Sequence, residues 1–390
     1  MSVARNWWVA VILATPLLFP PGTQAEEPTF ADAATVVVVE LPVRVLIDGQ
    51  PVTDLTVEDF EIYDRGRRRE ILGFEVLSTR PSGGSAGSTH ELAERTPGGQ
   101  RNWTFLFDFA YADGLSLSKS LAAVRGFVER EVAPSDTVAL GFFSALRGLK
   151  LLGAPTSSPD QVAAALDLMD ALLAHDVETV ERIAERLDAD AGLARSSIAT
   201  AAQLRAEAGI LMRADPYWPH RSVIRSFARS LAEVAGQYRD LPGQRTFVLF
   251  SHGFDPKYLV GRGSAGTLAE LERAFKACRS HGWIVQSINA GGLRALAGRE
   301  SLFYLAHETG GESFEHFNDL NEALALMASH GSVTYLLSFQ VDDFEADGSF
   351  HRLRVKLRNG QRRARLIHRP GYYAPETPSS AELDTLRDRR

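Results

Sequence analysis

The sequence predicts an α/β class: a doubly wound, mostly parallel sheet flanked by a small β-sandwich built from the N- and C-terminal segments. Three observations predict it. Residues 103–107 and 246–250 are nearly continuous apolar runs, as strands covered on both faces require. Between residues 102 and 331, strand-like runs alternate with helical stretches, the order that lays strands in parallel through crossovers. On either side, residues 26–78 and 332–375 carry short β-branched or alternating runs and no long helical period, and each is too thin to stand alone.

The elements follow in order. Residues 1–25 hold Arg5, a nearly uncharged apolar run over 7–18, and Thr23-Gln24-Ala25 as a small-residue cleavage triplet. This is the pattern of a secretory signal peptide cut after Ala25, so the chain is expected to be secreted or periplasmic. The run is shorter than a membrane span needs, and no stable span is expected after cleavage. Residues 35–48, 57–63 and 69–77 read as strands, with Asp48-Gly49 as a turn. Residues 79–101 are a Gly/Ser/Pro-rich linker.

In the alternating region, residues 115–132 place Leu117, Leu121, Val124 and Val128 on one helical stripe. Residues 136–143 read as the next strand, 146–152 as an edge strand, and 160–213 as helical. Pro219 opens a helix that ends before Pro242-Gly243. Strands over 246–250 and 283–288 then alternate with helices over 266–281, 300–308 and 319–327. Residues 350–369 hold eight basic side chains and no acid, and Asn359-Gly360 reads as a two-residue hairpin turn. Residues 376–390 read as a polar tail.

Composition excludes more than it selects. One cysteine, Cys278, rules out an internal disulfide framework and a cysteine-rich metal site, and its helical surroundings mark it as a small buried hydrophobe. A net charge of −7 gives no support for nucleic acid as a partner. No P-loop spacing occurs. Gly261, Gly263 and Gly266 match a dinucleotide spacing but lie about ten residues past the strand, where a tight first turn is impossible. Gly83-Gly-Ser85-Ala-Gly87, the one match to a nucleophile elbow, sits in the linker with no strand before it. His307-Glu308 lacks the second histidine of a zinc peptidase motif.

Several motifs resemble the VWFA-related acidobacterial domain family. They are Pro51-Val-Thr-Asp-Leu-Thr-Val-Glu-Asp-Phe-Glu-Ile-Tyr-Asp64, Arg245-Thr-Phe-Val-Leu-Phe-Ser-His-Gly-Phe-Asp255, Leu305-Ala-His-Glu-Thr-Gly-Gly311, Tyr335-Leu-Leu-Ser-Phe339 and Pro370-Gly-Tyr-Tyr-Ala-Pro375. The resemblance implies an exported bacterial protein with a von Willebrand factor type A-like domain over 102–331, a fold whose members usually bind proteins, often through a divalent cation. Its usual Asp-x-Ser-x-Ser motif reads Asp108-Phe-Ala-Tyr-Ala112 here, and its later Asp-Gly reads His252-Gly253. Both hydroxyl ligands are thus alanines, and imidazole suits zinc or copper better than magnesium.

The expected binding edge, equivalent in place to that metal site, comprises Asp108, Tyr111, Asp113, Ser251, His252 and Asp255 at the carboxyl ends of the strands. The expected function is non-enzymatic binding of a protein partner, with no catalytic residues, no bound metal and no cofactor. The alternatives are a metal-dependent adhesion module and, from Ser251-His252, an α/β-hydrolase-like enzyme. The basic stretch 350–369 is a further candidate, for contact with an anionic envelope surface.

Overall fold

The computed structural model describes residues 37–78, 100–174, 215–294, 297–341, 348–358 and 363–374. The expected signal segment, nearly all of the linker, residues 175–213 of the helical stretch, the Asn359-Gly360 turn and the polar tail lie outside them.

Five strands come first: β1 (Val37–Ile47), β2 (Gln50–Pro51), β3 (Phe60–Asp64), β4 (Arg67–Arg69) and β5 (Ile71–Ser78). Then follow β6 (Arg101–Asp108), α1 (Gly114–Glu131), β7 (Thr137–Ser144), β8 (Gly148–Leu151), α2 (Pro159–Leu173), α3 (Trp218–Gln237) and β9 (Gln244–Ser251). After these come α4 (Ala265–Ser280), β10 (Trp283–Asn289), α5 (Arg299–Thr309), β11 (Ser313–Phe314) and α6 (Leu320–His330). The chain closes with β12 (Val333–Val341), β13 (Phe350–Leu357), β14 (Ala364–Ile367) and β15 (Gly371–Tyr373).

The strands form three sheets. A mixed sheet runs β11-β10-β9-β6-β7-β8, with β8 antiparallel at its edge. Its strands are apolar on both sides because helices cover both faces. Phe105, Phe107 and Phe250 meet α1, α2 and α6, while Leu106, Phe247 and Leu249 meet α3, α4 and α5. Cys278 of α4 is fully buried there, and burial pushes its thiol up to about 12.

The other two sheets are antiparallel. One runs β14-β1-β12-β5 with β2 beside β1, the other β15-β13-β3-β4. They pack on a shared core of Val39, Leu41 and Val43 from β1, Leu337 and Phe339 from β12, Ile62 from β3 and Val355 from β13.

These pairings correct the expected class. Eight of the twelve strand pairings among the described residues are antiparallel. The four parallel ones are confined to the mixed sheet. The chain is therefore not a doubly wound parallel fold with a small appendage: nine of the fifteen strands among the described residues lie in the two antiparallel sheets. The terminal segments look thin because their strands are short and half-polar, yet both segments contribute to both sheets. The hairpin expected at Asn359-Gly360 is also corrected. β13 pairs with β3 and β15, and β14 pairs with β1, so the two flanking strands part to different sheets.

A buried ionic cluster joins the sheet β14-β1-β12-β5 to the mixed one. Arg44 of β1 pairs with Glu312 at 3.1 Å and donates to the Gly310 carbonyl at 2.8 Å. Glu312 also meets His330 Nδ1 at 3.0 Å and Arg365 at 3.3 Å. Burial alone would raise the Glu312 carboxyl, but the His330 hydrogen bond and the Arg44 and Arg365 charges hold it below its ordinary value. No helix among the described residues is long and apolar enough to cross a membrane.

Candidate functional site

Asp108 ends β6, and Ser251 ends the adjacent β9, so parallel register brings the two side chains together. The Ser251 hydroxyl donates to Asp108 Oδ2 at 2.6 Å. The backbone N–H groups of Ala110 and Tyr111 donate to Asp108 Oδ1 at 2.9 and 3.2 Å. Burial pushes the Asp108 carboxyl up to about 6, and these three donors oppose that rise. Ser251 Oγ in turn accepts from the Gly253 N–H at 2.8 Å.

The remaining expected residues divide into two groups. Asp113 caps α1, accepting from the Ser116 N–H at 2.9 Å and its hydroxyl at 2.8 Å. His252 Nε2 lies 3.5 Å from Asp113 Oδ2. Partial burial lowers the imidazole pKa, and Asp113 opposes this. Tyr111 packs against Phe254, and its hydroxyl donates to the His220 carbonyl at 3.3 Å. Asp255 does not join Asp108: it caps the turn Pro256–Leu259 and pairs with Lys257 at 2.6 Å.

This arrangement differs from both chemistries considered from the sequence. The resemblance implies a divalent cation, but both oxygens of Asp108 already accept hydrogen bonds, and the residues at 110 and 112 are alanines without a donor oxygen. Among the described residues, no three His, Cys, Asp or Glu side chains gather to hold a metal. For hydrolysis, the Ser251-His252 pair considered from the sequence does not form: the Ser251 hydroxyl donates to Asp108, and the His252 ring turns to Asp113. The space between Asp108, Ser251, Phe254, Phe227 and Leu305 encloses about 10 Å³, room for one water at most.

The loops of this edge are rigidly built. Arg221 of α3, 1% exposed, donates to the carbonyls of Tyr258, Val260 and Arg262 at 2.7–2.8 Å and pairs with Asp215 at 2.7 Å. His220 stacks on Tyr258 with ring centroids 4.3 Å apart. Gly253 has φ +73°, and a Cβ there would lie 2.2 Å from the Gly298 carbonyl oxygen, so the loops after β9 and β10 touch backbone to backbone.

Sequence reasoning missed what crowns these loops. Leu115 after β6, Leu146 after β7, Val260 after β9 and Leu293 after β10 are 67%, 78%, 63% and 51% exposed. Each of the four strands thus sends one bare apolar side chain to the same edge. Nothing in the local sequence sets these residues apart: Val260 follows Tyr258-Leu259, Leu146 follows Ala145, and Leu115 lies in the first turn of α1.

No protein-family model matches the chain, and no curated protein does. Among solved structures, the chain is similar to the PilB minor pilin from Streptococcus sanguinis at 12% identity and a TM-score of 0.32, over 60% of this chain and 62% of that one. A point mutant of the same pilin gives 15% identity and a TM-score of 0.31, over 60% of each chain. The chain thus spans about three fifths of the pilin's length. So distant a likeness carries no statement about function.

Proposed function

We propose that this chain is an exported, non-enzymatic binding module that holds a protein partner at the carboxyl edge of its mixed sheet. The observation that supports this reading most is the set of four exposed apolar side chains at that edge, Leu115 in the first turn of α1 and Leu146, Val260 and Leu293 in the connections after β7, β9 and β10. Large apolar side chains gathered on one exposed surface mark interaction sites. The loop after β9, which carries Val260 and is held by buried Arg221, loses little freedom on binding, which favours affinity. The Asp108–Ser251 pair serves this edge by fixing where the loops after β6 and β9 begin. The reading rests on these features and not on the family resemblance.

The test is site-specific photocrosslinking in the native host. A crosslinking residue placed at 146 or 293 should trap a discrete protein adduct. The same residue at Phe303, exposed on α5, should not. Equal adducts from all three positions, or none from 146 and 293, overturn the proposal.

A further inference from the structure

The outer face of the sheet β15-β13-β3-β4 carries a second array, distant in character from the apolar edge. Along β13, His351, Leu353 and Val355 are buried, and Arg352, Arg354 and Lys356 point outward. Along β3, Phe60, Ile62 and Asp64 are buried, so Glu61 and Tyr63 share the outer face. Register then sets one row across three strands: Arg354 opposite Tyr63, and Tyr63 opposite Arg68 of β4. Lys356 lies opposite Glu61, with its ammonium 4.7 Å from the Tyr63 ring centroid. Arg65 and Arg358 are exposed at the margins.

The charge balance on this face is one-sided in a chain whose net charge is −7. Its one acid, Glu61, is shared between Arg68 at 3.5 Å and Arg358 at 3.6 Å. Arg352 and Arg354 have no ion-pair or side-chain hydrogen-bond partner among the described residues. Neighbouring outward side chains on one strand stand about 6.7 Å apart, and neighbouring strands about 4.8 Å apart. The guanidinium groups therefore cover a two-dimensional field, where a groove or a single line would serve an extended peptide. No large apolar side chain is exposed on this face, so it has nothing to insert.

We infer that this face adsorbs to an anionic lipid bilayer through phosphate headgroups. A plane of phosphates matches a field of forked donors, each able to take two oxygens. The Arg354–Tyr63–Arg68 row places an amphipathic phenol between two of them, the residue type that favours the headgroup level. The surface differs from the sequence-expected stretch 350–369 in composition. It gains Tyr63, Arg65 and Arg68, and it loses Arg365, which pairs with Glu312, and Arg369, which donates to the Glu40 and Arg279 carbonyls.

The experiment is co-sedimentation of the full chain with phosphatidylcholine vesicles containing 0 or 30% phosphatidylglycerol. Binding should appear only with the anionic lipid at 50 mM NaCl and fall at least ten-fold at 500 mM. The variant Arg352→Glu/Arg354→Glu should bind at least ten-fold more weakly. A control of equal charge change on exposed residues of α1, Lys119→Glu/Arg130→Glu, should bind like wild type, and circular dichroism melts should show all three folded. If the charge-reversed chain does not fold, Arg354→Gln takes its place, with a loss of two-fold or more expected. Binding to neutral vesicles, salt-insensitive binding, or equal loss in the control overturns the inference. So does displacement from vesicles by soluble polyglutamate at equal charge, which would make the face a receptor for acidic polypeptide.

Discussion

The hydroxyl of Ser251 donates a 2.6 Å hydrogen bond to the carboxylate of Asp108 and ties the ends of two neighbouring parallel strands. The acceptor is a buried carboxyl whose proton is held to about pH 6. This pair gives the proposed binding edge a titratable foundation.

Asp108 should make stability fall as pH rises through the window between its two pKa values. Unfolded, the carboxyl titrates near 3.8, the ordinary aspartate value; folded, burial holds it at about 6. Between those values the folded chain keeps a proton that the unfolded chain has lost, so each step upward favours unfolding. Asp108→Asn removes this dependence. Relative to wild type, the variant should gain roughly 2–3 kcal/mol between pH 4 and pH 7. Urea unfolding at both pH values measures it, and a constant difference would refute it.

Ser251→Ala removes the O–H donor to Asp108 and the acceptor for the Gly253 N–H. The loss at pH 7 should be about 1–3 kcal/mol, because a buried carboxylate is left short of a donor. The Asp108 pKa should move above its wild-type value, since the Ser251 bond lowers it. A carbon-13 NMR titration of the aspartate carboxyls reads this directly.

Arg44→Met should cost about 1–3 kcal/mol, because it takes one charged partner from buried Glu312, which keeps His330 and Arg365. Adding Glu312→Gln should recover part of the loss. A double-mutant cycle by chemical denaturation gives the coupling, and strict additivity would mean that the pair does not act as one.

Arg221→Lys keeps the charge but replaces a fork serving three carbonyls with a single ammonium. Amide exchange should accelerate across residues 256–263 and stay unchanged in β9. Trypsin should cut faster after Lys257 and Arg262. Uniform acceleration throughout the mixed sheet would contradict the local role assigned to Arg221.

The mixed sheet was the legible part of the sequence because full burial forces its strands to be apolar on both sides, as at Trp103, Phe105 and Phe107. The stripe of Leu117, Leu121 and Val124 marked α1 for the same reason. Placing Asp108 and Ser251 at one edge followed from knowing where two such runs end; their hydrogen bond came only from the register of the two strands. The antiparallel sheets were harder to read because β3 and β13 are half-exposed, and β4 and β15 hold three residues each. Their partners are chosen by contacts hundreds of residues apart, as Val355 with Ile62 shows. Local turn chemistry at Asn359-Gly360 suggested a hairpin, and long-range pairing to β1 prevailed. Arg65 and Arg68 lie between the expected strands 57–63 and 69–77, and only register sets Arg68 beside Tyr63.

β1 and β12 lie antiparallel, from Val37 against Val341 to Val43 against Tyr335, and every strand and helix of the mixed sheet falls between them in sequence. The mixed sheet is therefore suspended from a closed clasp. Tension on the two ends of the described chain is borne first by the ladders of β1, β12 and β13, and the loops presenting Leu146 and Leu293 stay slack until those ladders shear.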